Sequence, residues 1–303
     1  MSDLLVIDSD SSCTLVQRQL AQFFAAAGSE SGMIEARMIL CTALKIDHIE
    51  LLREADRPIG SCGTEVTETI VTLAMRRARH EPVSRILGRR EFFGLDFAID
   101  PFVLDPRADT ESVVELTIDA MAPRWKEPLR ILDLGTGSGA ILCALLANLP
   151  HALGVGIDIS EAACKVAARN LHRLGLVERG AIVCGNWTEA LASPFDVIVS
   201  NPPYIARGEI ATLHPEVRDF DPHLALDGGT DGYEAYRTII PALPRLLAQG
   251  GIAVFELGQG QSEKVGQLFA AAGLTLLGTR EDLAGIARAI AAVQPVGHRR
   301  ASK

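Results

Sequence analysis

Positive charge is scarce in this chain: 29 Lys and Arg stand against 38 Asp and Glu, a formal net charge of −9, with a sequence pI of about 5.3. That balance excludes a broad nucleic-acid face, which needs clustered cations, although a local basic patch survives such a sum. Ordered cysteine spacing is lacking too. Cys13, Cys41, Cys62, Cys143, Cys164 and Cys184 are scattered, with no C-x-x-C pair and no histidine at metal-ligand spacing. The thiols therefore read as reduced and mostly buried, with neither disulfides nor a metal site expected. Met1-Ser2-Asp3-Leu4 has no basic stretch ahead of an apolar core, so no signal peptide is indicated. The uncharged run Gly139 to Ile157 has the length of a membrane span, but Asn148-Leu149-Pro150-His151 breaks it into a helix and a strand. A cytoplasmic protein off the membrane is expected. No internal repeat is found.

What is present is ordinary globular material: 303 residues, 48% hydrophobic and 22% charged, enough for one large domain and a smaller one. Residues 1–80 read as helices only. Thr14 to Ala27, Ile34 to Leu44 and Val66 to Arg79 carry apolar residues at helical spacing, and Thr64 is the expected N-cap of the third. Residues 81–108 read as a linker built on a hairpin, Glu91 to Ile99, turning near Gly94 and stiffened by Pro101 and Pro106. Residues 109–303 form the third segment. There Asp109-Thr110-Glu111 is expected to cap a helix from Ser112 to Met121, and strands then alternate with helices. Strands are expected at Leu129–Leu132, Leu153–Ile157, Ala181–Cys184, Phe195–Val199 and Ile252–Glu256. Helices are expected at Gly139–Asn148, from a Ser160 cap to Leu174, at Gly232–Leu247 and at Ser262–Ala272. Leu274–Gly278 and Ile286–Val293 read as a closing strand pair, and the basic tail His298 to Lys303 as disordered. Such alternation implies an α/β fold, a mostly parallel sheet covered by helices on both faces.

In such sheets ligands sit beyond the carboxyl ends of the strands. Ser200-Asn201-Pro202-Pro203-Tyr204 follows the buried strand Phe195–Val199 and falls there. Asn201 offers a carbonyl acceptor and an NH2 donor, while two prolines stiffen the backbone and remove its N–H donors. The result is a rim of carbonyl oxygens beside an aromatic ring. It suits a planar NH2 group, held by the Asn201 side-chain oxygen and the Pro202 carbonyl. A plain turn would also use Asn and Pro, but not in this run directly after a buried strand.

Asp133-Leu134-Gly135-Thr136-Gly137-Ser138-Gly139 joins the first strand of the sheet to its helix, where glycines let a ligand approach the backbone. The glycines also satisfy the dinucleotide fingerprint and decide little. Asp133 tips the balance. A carboxylate there repels a pyrophosphate but suits S-adenosylmethionine, which carries an ammonium and a sulfonium and no phosphate. Asp158 ends the next strand, where it can accept both ribose hydroxyls. Trp187, after the third, stands where an indole can lie on adenine or simply pack; position alone does not separate the two. Methyl transfer to a conjugated NH2 needs the poor nucleophile aligned and its growing charge stabilised, which Asn201 and the Pro202 carbonyl can do. Tyr204 can stack on the substrate or face the methyl cation. No general base is apparent.

Asn201-Pro-Pro-Tyr204 with the glycine loop resembles class I S-adenosylmethionine methyltransferases that act on amide or exocyclic nitrogens. Further blocks narrow the match: Arg85-Ile86-Leu87-Gly88 with Glu91-Phe92-x-Gly94, and Val103-Leu104-x-Pro106-Arg107-x-Asp109-Thr110-Glu111. So do Pro215-Glu216-Val217-Arg218, Asp221-Pro222 through Gly228-Gly229-x-Asp231-Gly232, and Asp282-Leu283-Ala284-Gly285. Together they are similar to the bacterial release-factor glutamine methyltransferases over nearly the whole chain. The resemblance implies a Rossmann-like, seven-stranded catalytic domain after a small helical substrate-recognition domain. It implies methylation of the glutamine amide in the Gly-Gly-Gln motif of class I peptide chain release factors; a monomer without direct nucleic-acid binding is expected. It places the cofactor at Gly135, Thr136, Gly137, Ser138, Gly139, Asp158, Trp187 and Asn201, and the glutamine at Asn201, Pro202, Pro203 and Tyr204. A related branch acts on a ribosomal-protein glutamine; it lacks the Asp109-Thr110-Glu111 run. Asp105, where the family has an apolar residue, and Ala108, in place of a common proline, bear on linker stiffness and substrate fit. Arg107 and Glu111 read as orienting a substrate loop or as an inter-domain ion pair, Phe92 and Phe93 as pocket wall or hairpin core.

Overall fold

The computed structural model describes residues 5–296 apart from 190 and 193; the tail expected to be disordered lies outside them. The chain divides into two compact units, residues 1–88 with 215–220, and 89–214 with 221–303.

The first unit is helical: α1 (Cys13–Ala26), α2 (Gly32–Leu44), α3 (His48–Arg53), α4 (Thr64–Arg77) and α5 (Val83–Leu87). Val16, Leu20 and Phe24 lie four apart on α1, so they share one face, and they are fully buried with Ala36, Ile39 and Leu40 of α2 and Ile70 and Ala74 of α4. Ser12 caps α1 and an Asp47–Glu50 capping box starts α3. Thr64 is not the cap of α4 but its first residue. Gly63 holds the cap position at φ +98° and no side chain bonds the first turn, because that backbone conformation favours glycine. α3 and α5 are too short to show a period in sequence. Arg77, buried at the end of α4, pairs with Glu35 of α2 at 2.9 Å and with Glu216 at 2.6 Å.

The second unit opens with a hairpin, β1 (Arg89–Phe92) and β2 (Leu95–Ala98). Phe93 and Gly94 both have positive φ, the requirement of a two-residue turn whose twist matches the strands. The hairpin expected within a linker packs inside this unit. Phe92 and Phe97 are buried edge to face in its core, and the first unit ends at Gly88 rather than at residue 80. Next come α6 (Glu111–Met121), β3 (Arg130–Leu134), α7 (Ala140–Asn148), β4 (Leu153–Asp158), α8 (Glu161–Arg173), β5 (Gly180–Cys184) and β6 (Phe195–Ser200). The short α9 (Pro215–Arg218) belongs to the first unit. α10 (Glu234–Ile239), α11 (Leu243–Leu246), β7 (Leu247–Glu256), α12 (Ser262–Ala271), β8 (Thr275–Glu281) and β9 (Ala287–Val293) complete the second. The single helix expected over Gly232–Leu247 is split, since Pro241 and Pro244 remove helical donors. Among the described residues no helix is long and apolar enough to cross a membrane.

The sheet runs β5-β4-β3-β6-β7-β9-β8, parallel through β7 and antiparallel at the β9 and β8 edge. Its strands alternate between two cores. Ile131, Val197, Val199 and Val254 face one, Leu132, Leu134, Ile198, Ala253 and Phe255 the other. Burial on both faces explains why these strands read as continuous apolar runs. The order reverses between β3 and β6, which opens a crevice at their carboxyl ends.

Arg77→Ala should destabilise the first unit by ~3–5 kcal/mol, because it leaves two carboxylates beside a buried gap. Chemical denaturation followed by circular dichroism would show it as a lowered midpoint, and an unchanged midpoint would remove the pair from the stability account.

Candidate active site

A cavity of about 650 Å³ lies in the second unit at that crevice. Its floor is the loop after β3. Gly135, Gly137 and Gly139 all have positive φ, and the Gly135 and Thr136 N–H groups donate to Ile157 O at 2.8 and 2.9 Å. A Cβ on Gly135 would stand 3.2 Å from the Trp187 ring, so that glycine is needed for the close approach. Asn170 of α8 holds the loop from behind: its Nδ2 donates to Ser138 O and to Ala98 O, and its Oδ1 accepts from Ala98 N. Asp158, at the end of β4, accepts from Gly137 N and from Ser160 N, each at 2.9 Å. Gly135, Thr136, Gly137, Ser138, Asp158, Trp187, Asn201 and Pro203 all line the cavity.

Asp133 and Tyr204 stand elsewhere. Asp133 is buried beneath the loop, not in its wall. One carboxyl oxygen accepts from the Thr136 hydroxyl at 2.6 Å and the other has no hydrogen-bond partner. Burial pushes its pKa up to about 7. Gly139 is the N-cap of α7 and packs against Ala167. Pro202 is buried. The Tyr204 ring lies against Gly258, and its hydroxyl donates to Glu256 Oε1 at 3.1 Å. Burial and that carboxyl hold the phenol far above its ordinary pKa. The ring is thus turned into the fold, away from the cavity wall.

The tetrapeptide is held at its carboxyl end. Ile205 N donates to Leu226 O and Gly228 N to Ile205 O, while Gln261 Nε2 donates to Tyr204 O at 3.0 Å. A Cβ on Gly232 would come within 2.5 Å of Tyr204 O, and one on Gly228 within 2.9 Å of Pro203 O. Asn201 Nδ2 donates to Thr110 Oγ1 at 3.2 Å. Thr110 sits at the cap position of α6 without bonding the helix, so the expected capping run instead spends its hydroxyl on the site. Glu256, at the end of β7, is 1% exposed, with its pKa pushed up to about 7 by burial. Thr110 is legible in the sequence as part of a capping run and a family block but not as a partner of Asn201, and no motif marks Glu256, Gln261 or Asn170. A carboxylate closing a buried strand was the available signal for Glu256; Gln261 and Asn170 carry none that is local.

Two further segments wall the cavity, Pro101–Pro106 and Pro222–Ala225. Arg107 and Asp221 bind them together, with Asp105 N also donating to Asp221 at 3.4 Å. Arg107 therefore serves within the second unit. Glu111 accepts from Phe93 N at 2.9 Å and steadies the hairpin turn. Phe92 belongs to the core and neither it nor Phe93 lines the cavity. Asp105 is buried with Arg90 Nε at 3.9 Å. Phe102, Ile159 and Leu224, largely exposed, give the cavity an apolar rim.

The family described as PrmC N-terminal domain matches residues 16–88, and Methyltransferase small domain matches residues 112–228. A release factor glutamine methyltransferase of Bradyrhizobium diazoefficiens is 46% identical over 280 residues, 91% of this chain and 93% of its own. One of Rhodospirillum rubrum is 44% identical over 266 residues, 88% and 80% of the two chains. A methyltransferase from Pyrococcus furiosus shares the fold at a TM-score of 0.51 and 16% identity, over 74% of this chain and 100% of that one.

Two measurements probe the site without substrate. Asp133 and Glu256 ionise near 3.8 and 4.5 ordinarily and near 7 when folded. Between those values the folded state keeps protons that the unfolded state has lost, so stability falls as pH rises from about 4 to about 7. The loss is at most ~3–4 kcal/mol per group. Thermal melts across that range should slope downward, and less steeply in Asp133→Asn and in Glu256→Gln; parallel slopes would reject the shifted ionisation. Gly232→Ala, at φ +79° and against Tyr204 O, should lose at least ~1 kcal/mol from the left-handed backbone alone, read as a lowered melting temperature.

Proposed function

Because the chain belongs to the release factor glutamine methyltransferase family, we propose that it methylates the side-chain amide nitrogen of the glutamine in the Gly-Gly-Gln motif of class I peptide chain release factors. The observation that carries this reading is the Asn201 amide. Its donor end is tied to Thr110, which leaves Oδ1 as an acceptor at a cavity that also contains the glycine loop.

The residues fit S-adenosylmethionine. The unpartnered buried oxygen of Asp133 supplies negative potential under the loop for an ammonium. Asp158 lines the cavity with lone pairs to spare for a ribose diol, and Trp187 offers a ring face to adenine. Gly135, Thr136, Gly137, Ser138 and Gly139 carry the backbone past the ligand. When bound, the cofactor supplies a methyl carbon made electrophilic by its cationic sulfur.

Asn201 Oδ1 and the Pro202 carbonyl accept the two N–H bonds of the glutamine amide. They fix its plane and stabilise the positive charge that grows on nitrogen as the new N–C bond forms and the methyl–sulfur bond breaks, its electron pair staying with sulfur; water takes the proton. Alignment of this kind supplies roughly 7–11 kcal/mol in favourable cases. Pro203 stiffens the rim, and Tyr204 anchors it from behind rather than stacking on the substrate.

The helical unit grips the release factor. Met33, Ile34 and Met38 of α2 and Ile49 and Leu52 of α3 are exposed apolar side chains that support this role. The acidic balance favours a protein partner over nucleic acid, and the enzyme is taken to work as a monomer in the cytoplasm.

Labelled methyl from S-adenosylmethionine should pass to purified release factor and not to a factor whose Gly-Gly-Gln glutamine is replaced. Asn201→Ala should lower that transfer by about 10²-fold or more, with cofactor affinity within a few fold by calorimetry. Equal labelling of both factors, or full turnover by the variant, would overturn the assignment.

A further inference from the structure

The target of the proposed reaction carries a single functional side chain. The two glycines before its glutamine offer an enzyme only backbone carbonyls and N–H groups, and the rim at Asn201 and Pro202 is taken up by the glutamine amide. Recognition of the glycines needs other polar groups. A set that the transfer step does not use lines the same cavity.

Arg207 stands three residues beyond Tyr204 and lines the cavity, where no other Lys or Arg is found among the described residues. The run 205–207 lies along 227–229: Ile205 forms a bridge with Asp227, and Arg207 N donates to Gly229 O at 2.8 Å. A second contact aims the side chain. Its Nε donates to Asp227 Oδ2 at 2.8 Å, while Asp227 Oδ1 accepts from Gly229 N at 2.9 Å, so both carboxylate oxygens are fixed. A guanidinium has five N–H donors in a planar fork. With Nε spent on Asp227, the two terminal nitrogens hold four more, and among the described residues none of these is in a hydrogen bond.

Charge decides what they take. Asp227 and Glu234 both line the cavity, and Glu234 Oε2 lies against Gly229, where a Cβ would meet it. One guanidinium beside two carboxylates is a net negative cluster; His223, in the same wall, brings the sum to zero at most. An anion such as the cofactor carboxylate or a phosphate gains nothing there. A neutral peptide carbonyl still gains a charge-assisted hydrogen bond. We propose that Arg207, aimed by Asp227, is a substrate-positioning residue whose terminal N–H groups bind the backbone carbonyls of the Gly-Gly segment. The substrate named here rests on the methyl-transfer reading. The contact is the same before and during transfer, so it acts on KM rather than on kcat.

Arg207→Gln removes the charge and the fork. The Arg207–Asp227 pair is exposed at 66% and 29% and contributes little stability, so the variant should melt within about a degree of wild type. It should bind S-adenosylmethionine within about twofold by calorimetry and keep kcat. Its KM for release factor should rise about tenfold or more, the loss expected with a hydrogen bond to a charged group. Arg207→Lys carries one ammonium that cannot bond Asp227 and present a fork at once, so it should leave KM high; full recovery would overturn the fork. A release factor with Gly-Gly-Ala separates backbone from side chain. It should inhibit the native enzyme competitively and Arg207→Gln about tenfold less well. Equal inhibition of both enzymes, or an unchanged KM, would remove the proposal alone. Weakened cofactor binding with KM unmoved would also overturn it, by assigning Arg207 to the cofactor carboxylate. If the native enzyme labels no release factor, the methyl-transfer reading falls and this proposal falls with it.

Discussion

The site depends on the reversal of strand order at β3. From there the chain steps outward to β4 and β5, then returns to lay β6 on the other side. Connections leaving β3 and β6 run apart, so no loop fills the space beyond their carboxyl ends. Five strand ends open onto or back that space. They contribute the glycine loop, Asp158, Trp187, the Asn201–Tyr204 rim and Glu256. Because both faces of the sheet are buried under helices, these ends are held by packing rather than by the loops themselves.

Into this frame the protein places two carboxylates with almost no access to water. Asp133 and Glu256 each have one oxygen hydrogen-bonded to a hydroxyl and one without a partner. That is expensive, and the raised pKa values are its signature. The gain is field strength, since a charge in a dry site acts on its neighbours far more strongly than one in water. The surface pairs, such as Lys165 with Glu161 on α8, are exposed on both sides and contribute little by comparison.

The rim around Asn201 is crowded for a related reason. The Gln261 side chain donates to Tyr204 O, and backbone hydrogen bonds from Ile205 to Leu226 and from Gly228 to Ile205 fix the residue that follows. Gly228 and Gly232 admit that approach because a side chain on either would occupy the position of a carbonyl of the rim. Rigidity here is built from backbone contact, with prolines removing the freedom that remains.

The sequence by itself determined what depends on neighbours in the chain. Helical spacing marked α1, α2, α4 and α8, apolar runs marked the inner strands, Gly94 marked the hairpin turn, and the glycine loop and Asn201-Pro-Pro-Tyr204 fell where strands end. Those signals are short-range, so they survive without a fold. Tertiary structure decided which polar groups meet. Thr110 reaches Asn201 across 91 residues and Tyr204 reaches Glu256 across 52, and no local pattern encodes either pairing. The same holds for the hairpin, which joins the catalytic unit because Phe92 and Phe97 enter its core and Asn170, 72 residues beyond Ala98, bonds it there. Asp133 and Tyr204 were recognisable as residues of interest, but the direction each side chain takes, under the loop or toward Glu256, was set by burial, which exists only once the sheet and its helices have closed around them.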